Sequence, residues 1–297
     1  MGWQPELIVD QALARRLLAQ FQELEILSLR PFAAGWDYAI WIVNDEWAFR
    51  FPRRAVAVPG IEREISILPE LAPSLPLPVP VAEFVGVPTE EFPWPFFGSR
   101  LLPGRELSEL HLSDETRQRI ALELAAFLRR LHAIPPPSGL PVDANARADM
   151  TRRVPVARAQ IAQVEALGLW RRPPHLDAVL EGAETLAPAP ATTLVHGDLH
   201  FRQVLADPEG RVTGVIDWVD VCRSDPSIDL ALYWNFVPVG ARRRFLDAYG
   251  PVTDDQLLRA RVVALSLSAA LAHYGRVEGA RAVAREALMG LDRAAES

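Results

Sequence analysis

The chain contains no lysine: all 31 of its basic side chains are arginine. Any role that ordinarily needs a lysine must therefore be filled by arginine or left empty. There is one cysteine, Cys222, so no intramolecular disulfide can form. The longest apolar stretch, residues 262 to 272, is interrupted by two serines and is too short to span a bilayer. No block of basic residues appears and the formal net charge is −7, which argues against a nucleic-acid partner. Residues 1 to 10 lack a charged segment followed by an apolar run, and Glu6 occupies the place where a myristoylation signal wants Ser or Thr. A cytoplasmic location, away from membranes, is expected.

What is present is an ordinary globular composition, long enough at 297 residues for two lobes. Asp10 can cap a helix with apolar positions Leu13, Leu17 and Phe21. Residues 26 to 32 read as a strand broken at Ala33, Ala34 and Gly35. Residues 38 to 43 and 47 to 51 flank Asn44–Asp45–Glu46, a hairpin signal. Pro59 opens a second helix with a stripe at Ile61, Ile65 and Leu68. Four prolines between positions 73 and 80 make an extended connector, and strands are expected over 79 to 87 and 96 to 102. The lobe boundary falls at Pro103–Gly104, dividing residues 1–104 from 105–297, with a hinge over about 99–104.

Beyond the boundary the pattern turns mostly helical. Ser113 caps a helix with its stripe at Ile120, Leu124, Phe127, Leu128 and Leu131. Two weaker helical patterns over 148 to 185 are split by Pro173–Pro174, and the chain is helical again from Ile228. The expected fold class is α+β, with a small β-rich first lobe and a larger helical second one.

The stretch from Leu194 to Ala231 gathers Asp198, Asp217, Asp220, Asp225 and Asp229 with His196 and His200. Acidic residues in loops are usually turn and cap residues. Here Asp198 follows a short apolar run, Gln203 follows it by five residues, and Asp217 ends the apolar strand pattern of residues 212 to 216. Phosphoryl transfer needs such parts: one carboxylate to orient the attacking hydroxyl, and hard oxygens to hold Mg²⁺ against the phosphates.

At these residues the chain resembles the aminoglycoside phosphotransferase family, relatives of the protein-kinase fold, and within it most of all the macrolide kinases. The resemblance implies a bilobal protein-kinase-like fold and transfer of the γ-phosphate of ATP or GTP, with Mg²⁺, to a hydroxyl of a small molecule such as an aminoglycoside or a macrolide. His196–Gly197–Asp198 is similar to the catalytic-loop motif, which makes Asp198 the base by analogy with His196 and His200 in support. Asp217 resembles the metal-binding aspartate, and Asp229 the acid that braces the catalytic loop from below. Ser99, Arg100 and Leu102 mark the segment whose backbone would meet the nucleobase. Gly35 and Asp37 belong to a loop placed to cover phosphates, although one glycine is no Gly-rich fingerprint.

Two departures stand out. Family members carry Asn where this chain has Gln203, whose amide oxygen stands about 1.5 Å farther out, one C–C bond. Three readings stay open: Gln203 binds metal directly, it binds through water, or Asp217 alone ligates. The family's third-strand lysine is replaced by Arg50, which strand alternation sets on one face with Ala48 and opposite Phe49 and Phe51. A surface arginine lying over the sheet is the plain alternative. Glu64 falls inside the apolar stripe of the following helix whereas Glu62 does not, and a carboxylate on a buried face needs a partner. The expected ion pair is Arg50–Glu64, in preference to Glu62 or Arg53.

Trp170, Trp234, Asn235 and Tyr274 are candidate acceptor contacts, though aromatics at helical spacing are more often core. His132, at the end of an amphipathic helix, is read as packing. Two alternatives to an antibiotic kinase remain: a metabolic sugar or amino-alcohol kinase on the same fold, and a non-catalytic nucleotide-binding pseudokinase. A protein kinase is disfavoured because residues 217 to 225 leave no room for an activation loop.

Overall fold

The computed structural model describes residues 4–34 and 37–296, and divides into two compact units. The first comprises residues 1–103 and 214–219; the second comprises 104–213 and 220–297.

In the first unit, Asp10 Oδ1 accepts the Leu13 N–H at 2.8 Å and starts α1 (Gln11–Leu18), which buries Leu13, Ala14, Leu17 and Leu18. Phe21 lies beyond the helix end but packs on the same core. A five-stranded antiparallel sheet follows, ordered β1-β2-β3-β5-β4, from β1 (Leu29–Ala34), β2 (Tyr38–Val43), β3 (Trp47–Pro52), β4 (Phe84–Gly86) and β5 (Phe96–Arg100). Asn44 and Asp45 both take positive φ in the β2–β3 hairpin, a conformation these two residue types tolerate better than most. Asn44 Oδ1 also accepts the N–H groups of Leu27 and Ser28 at 2.9 and 3.0 Å. Those donors are thereby taken from a ladder, so β1 starts at Leu29 rather than at Ile26. It runs on through Ala34, past the expected break.

Phe49, Phe51, Phe92 and Phe96 are fully buried on one side of this sheet, with Phe51 and Phe96 stacked at 4.7 Å. The expected strand over 79 to 87 shrinks to β4, because Pro78 and Pro80 have no N–H to donate. Instead the Pro78 carbonyl accepts from Val215 N at 2.9 Å. The crossing helix α2 (Val58–Leu71) carries Pro59 in its first turn and buries Ile61, Glu64, Ile67, Leu68 and Leu71. Ile67 therefore replaces Ile65, which is half-buried, in the expected stripe. The expected strand over 96 to 102 ends at Arg100.

The second unit opens with β6 (Arg105–Glu106) and α3 (Asp114–His132), capped by Ser113. Then come α4 (Met150–Ala166), α5 (His175–Glu184), β7 (Thr193–Val195), β8 (Val204–Ala206), β9 (Val212–Val215) and β10 (Cys222–Ser224). Helices α6 (Ala231–Asn235), α7 (Arg242–Tyr249), α8 (Asp254–Val277) and α9 (Arg281–Ala295) complete it. Pairs β7–β10 and β6–β8–β9 form two small sheets; the chain leaves this unit within β9 and re-enters at Asp220. Helix α8 is the spine, packed by α4, α6 and α9 and started by a capping box between Thr253 and Gln256. Arg117 on α3 and Glu286 on α9 form a bidentate ion pair with both side chains buried, Nη2 lying 2.7 Å from Oε2. Among the described residues no helix is long and apolar enough to cross a membrane.

Candidate functional site

The second unit places His196, Gly197 and Asp198 in the loop after β7. Gly197 has φ +92°, and a Cβ there would stand 2.3 Å from the Asp220 carbonyl oxygen, so no other residue fits. Fully buried Asp229 holds this loop: its carboxylate accepts the backbone N–H of His196 at 2.8 Å and of Gly197 at 3.0 Å. His132 approaches the same carboxylate through Nε2 at 3.0 Å while Nδ1 meets Tyr249 Oη at 2.8 Å. His132, expected as packing, is thus part of the brace. Burial opposes charge on Asp229, but the His132 hydrogen bond and the nearby imidazoles outweigh it, and its carboxyl sits below the usual range.

Asp198 is partly exposed, at 32% of its side chain, with Oδ2 3.7 Å from His200 Nε2. Burial pushes its pKa up, yet the His200 contact and the charges of His200, Arg147 and His196 prevail and hold it below its ordinary value. Asp198 is therefore ionised at neutral pH and able to accept a hydrogen bond from a hydroxyl. His196 and His200 are buried, and Gln203, also buried, donates its N–H to the His200 carbonyl at 2.9 Å.

Arg147 escaped the sequence reading. Its Nη1 pairs with Asp143 at 2.9 Å and its Nη2 with Asp220 at 2.9 Å, from a segment without periodicity. Burial disfavours its charge, and the acids Asp220, Asp198 and Asp143 more than compensate, raising its pKa. A cavity of about 110 Å³ lies beside Asp198 within this unit, lined among others by Arg147, Arg153, Gln160, Leu199 and Ser266.

The first unit gathers a second set. Arg50 Nη1 donates to Glu64 Oε1 at 2.7 Å and Nη2 to Asp217 Oδ1 at 3.0 Å, so one guanidinium spans two carboxylates. Its Cζ lies 4.6 Å from the centre of the Tyr38 ring, whose hydroxyl donates to the Ala57 carbonyl. Glu64 is fully buried and also accepts the Trp218 N–H at 2.7 Å. Burial pushes the Glu64 pKa up, to about 7, with Arg50 offsetting only part of that. Arg50 itself is raised: burial opposes its charge, and Glu64 and Asp217 more than compensate. Asp217 lies just past the end of β9, which stops at Val215, and holds a left-handed φ of +66°. Its side chain is 39% exposed.

The remaining candidates are scattered. Gly35 lies outside the described residues. Asp37 pairs with Arg54, Nε to Oδ1 at 3.0 Å. Ser99 is buried in β5 and Arg100, exposed, pairs with Glu46 and stacks over Trp47. The Leu101 N–H goes to the Glu46 carbonyl at 2.8 Å, so it is not offered to a base; Leu102 is half-buried. None of Trp170, Trp234, Asn235 and Tyr274 lines the Asp198 cavity. Trp170 donates to Asp292, Trp234 to the Leu257 carbonyl, Asn235 is buried, and Tyr274 lies beneath Arg202.

In the first unit the Asp217 carboxylate, and in the second the Gln203 amide, each offer a hard oxygen of the kind Mg²⁺ takes. Among the described residues no group of three or more His, Cys, Asp or Glu side chains could hold a metal. Donors of this kind fit an ion that takes few protein oxygens and completes its shell with phosphates and water, rather than a protein cage.

Comparison with known proteins matches residues 28–261 to the model of the phosphotransferase enzyme family. An aminoglycoside 3′-phosphotransferase of Escherichia coli is 32% identical over 138 residues, 45% of this chain and 50% of that protein. The chain's matches span at most about half the length of the curated relatives. The GDP and kanamycin complex of APH(2″)-IIIa superposes with a TM-score of 0.69 at 22% identity, covering 96% of this chain and 98% of that one. The apoenzyme of macrolide 2′-phosphotransferase MphH from Brachybacterium faecium gives 0.60 at 24% identity, covering 93% and 97%. These likenesses establish a kinase-like fold.

Proposed function

The chain belongs to the phosphotransferase enzyme family, and from that premise we propose that it transfers the γ-phosphate of ATP or GTP to a hydroxyl of a small molecule. The observation that carries this reading is the Asp198 loop. Asp229 fixes it by two backbone hydrogen bonds, and the loop presents an ionised, partly exposed carboxylate to a cavity. Asp198 accepts the proton of the attacking hydroxyl and fixes its direction. Arg50, aligned by Glu64, supplies positive charge to the donor phosphates in place of the family's lysine.

Asp217, with Gln203 as a second oxygen donor, would hold Mg²⁺. A metal held there would supply positive charge to the donor phosphates. Ser99 to Leu102 is the segment assigned to the nucleobase, and Asp37 belongs to the loop assigned to the phosphates. Such an enzyme meets its nucleotide in the cytoplasm. The similarity to aminoglycoside and macrolide phosphotransferases makes antibiotics of those classes the first acceptors to try.

The test incubates the protein with Mg²⁺, ATP or GTP and a panel of aminoglycosides, macrolides and hydroxylated metabolites, and looks for phosphorylated products by mass. Product formation that survives Asp198→Ala unchanged refutes the assignment of the base. Nucleotide binding with no product from any acceptor favours a pseudokinase.

A further inference from the structure

The cavity beside Asp198 carries a charge pattern that the phosphoryl-transfer chemistry alone does not use. Among its lining residues are two cations, Arg147 and Arg153, and a single acid, Asp198 itself. The charge of Arg147 is already answered by Asp143 and Asp220. That of Arg153 is not. Its Nη2 donates to the Asn145 carbonyl at 3.2 Å and its Nη1 to Ser266 Oγ at 3.5 Å, both neutral and the second long. Its Nε is buried with no acceptor. Among the described residues no carboxylate lies within ion-pairing distance of it.

Arg153 lies at the start of α4, where the cap residue Asp149 accepts the Thr151 N–H on its carboxylate at 3.0 Å and the N–H groups of Arg152 and Arg153 on its carbonyl. That turn contains no acid and holds two arginines, Arg152 and Arg153, the reverse of the usual preference. Arg152, exposed, lies 3.7 Å from Asp149, while Arg153 reaches the cavity. Burial first, and then the charge of Arg147, depress the pKa of Arg153; Asp143 and Asp198 act in the other direction without offsetting them. An under-partnered guanidinium thus borders the small space beside Asp198, and an anion there would give it the partner charge it lacks.

We propose that Arg153 determines acceptor specificity, and that the acceptor carries an anionic group, a carboxylate or a phosphate ester, close to the hydroxyl that receives the phosphate. The proposal rests on Asp198 being the base of the proposed reaction. It sets this chain apart from the kanamycin-binding protein it resembles in fold, because a polycationic aminoglycoside would be repelled from this wall. The volume agrees: about 110 Å³ holds roughly three or four waters at ~30 Å³ each, enough for a compact acid or for the reacting end of a larger molecule.

Four matched three-carbon probes test it: glycerate, glycerol 3-phosphate, neutral glycerol and cationic serinol. Their dissociation constants are measured by NMR titration of the full-length protein holding Mg²⁺ and a non-hydrolysable ATP or GTP analogue. At least one anion is expected to bind about tenfold or more tighter than glycerol, with serinol weakest; which anion wins distinguishes carboxylate from phosphate. Arg153→Gln should abolish the preference, and Arg153→Lys, which keeps the charge and guards against a folding defect, should retain most of it.

Anions that bind no tighter than glycerol, or not at all, overturn the proposal, as does a preference that persists in Arg153→Gln. Turnover of the acceptor panel separates this from the phosphotransferase reading. Anion preference without any phosphorylated product overturns that reading and leaves the anion site standing. Efficient phosphorylation of polycations without anion preference does the opposite.

Discussion

Arg50→Lys tests the donor half of the proposed site most directly, because it restores the residue type that the chain lacks altogether. Arg50 makes two charge-assisted contacts from separate nitrogens, to Glu64 at 2.7 Å and to Asp217 at 3.0 Å. A single ammonium on a flexible stem cannot reproduce that fork. A hydrogen bond to a charged group contributes about 1.5–3 kcal/mol, and with Asp217 39% exposed the lost contact belongs near the lower end, about 1.5 kcal/mol. Arg50→Ala goes further and strands Glu64 on a fully buried face, which costs about 3–5 kcal/mol when a buried pair is broken.

That cost depends on pH, and the sign follows from Glu64. Its folded pKa, raised to about 7, exceeds the ordinary 4.5. The stability it contributes is therefore fully present below about 4.5 and is lost as pH rises through about 7. At pH 6 Glu64 is largely neutral and tolerates the loss of Arg50; at pH 8 it does not. Urea denaturation of the wild type, Arg50→Lys, Arg50→Ala, Glu64→Gln and the Arg50→Ala/Glu64→Gln double variant, at both pH values, reads this out. Arg50→Ala costing as much at pH 6 as at pH 8, or strictly additive single and double variants, would refute the reasoning.

Further outcomes are expected elsewhere. Gly197→Ala must place a Cβ 2.3 Å from the Asp220 carbonyl at φ +92°, so it should destabilise by more than about 2 kcal/mol, seen as a fall in melting temperature with loss of activity. Asp229→Asn keeps the size but replaces an acceptor-only carboxylate that serves two backbone N–H groups and His132; a loss of about 2–4 kcal/mol is expected in denaturant titration. Because the Asp229 pKa is lowered, its contribution is present above about 3.8 and lost as pH falls through the folded value, so Asp229→Asn should flatten the acid limb of the stability curve. Glu286→Gln leaves Arg117 buried without its partner charge and should cost about 3–5 kcal/mol, whereas Arg117→Met with Glu286→Leu should recover most of it.

How legible each of these features was in the sequence depends on what signals it. The juxtaposition of Arg50 and Glu64 was readable because two periodicities each set a charge where it must be answered: period 2 puts Arg50 opposite a phenylalanine face, and period 3.6 puts Glu64 in an apolar stripe. Asp198 and Asp229 were found through a motif, and no local pattern shows that the second reaches back 32 and 33 residues to hold the loop of the first. Strand ends were misjudged where a side chain replaced a ladder partner, as Asn44 does for Leu27 and Ser28, or where prolines 78 and 80 remove donors. Arg147 and Arg153 left no trace. The first sits in an irregular segment and meets Asp220 across 73 positions, and the second lies on a helix interrupted by Pro155 whose apolar stripe is weak.

The absence of lysine therefore does more than swap one cation for another. At Arg50 the fork ties Asp217, the proposed metal ligand, to Glu64 through one rigid plane, a link that an ammonium's single nitrogen would not make at both distances. Any nucleotide phosphate that engages Arg50 competes with those two carboxylates, so donor affinity and the freedom of Asp217 are coupled through one side chain. At Arg153 the two terminal nitrogens of the same planar group meet only neutral acceptors, the Asn145 carbonyl and Ser266 Oγ. Both guanidiniums keep a buried Nε without an acceptor, but two carboxylates engage Arg50 and none engages Arg153, and that difference separates a residue that organises the donor side from one that waits for an acceptor.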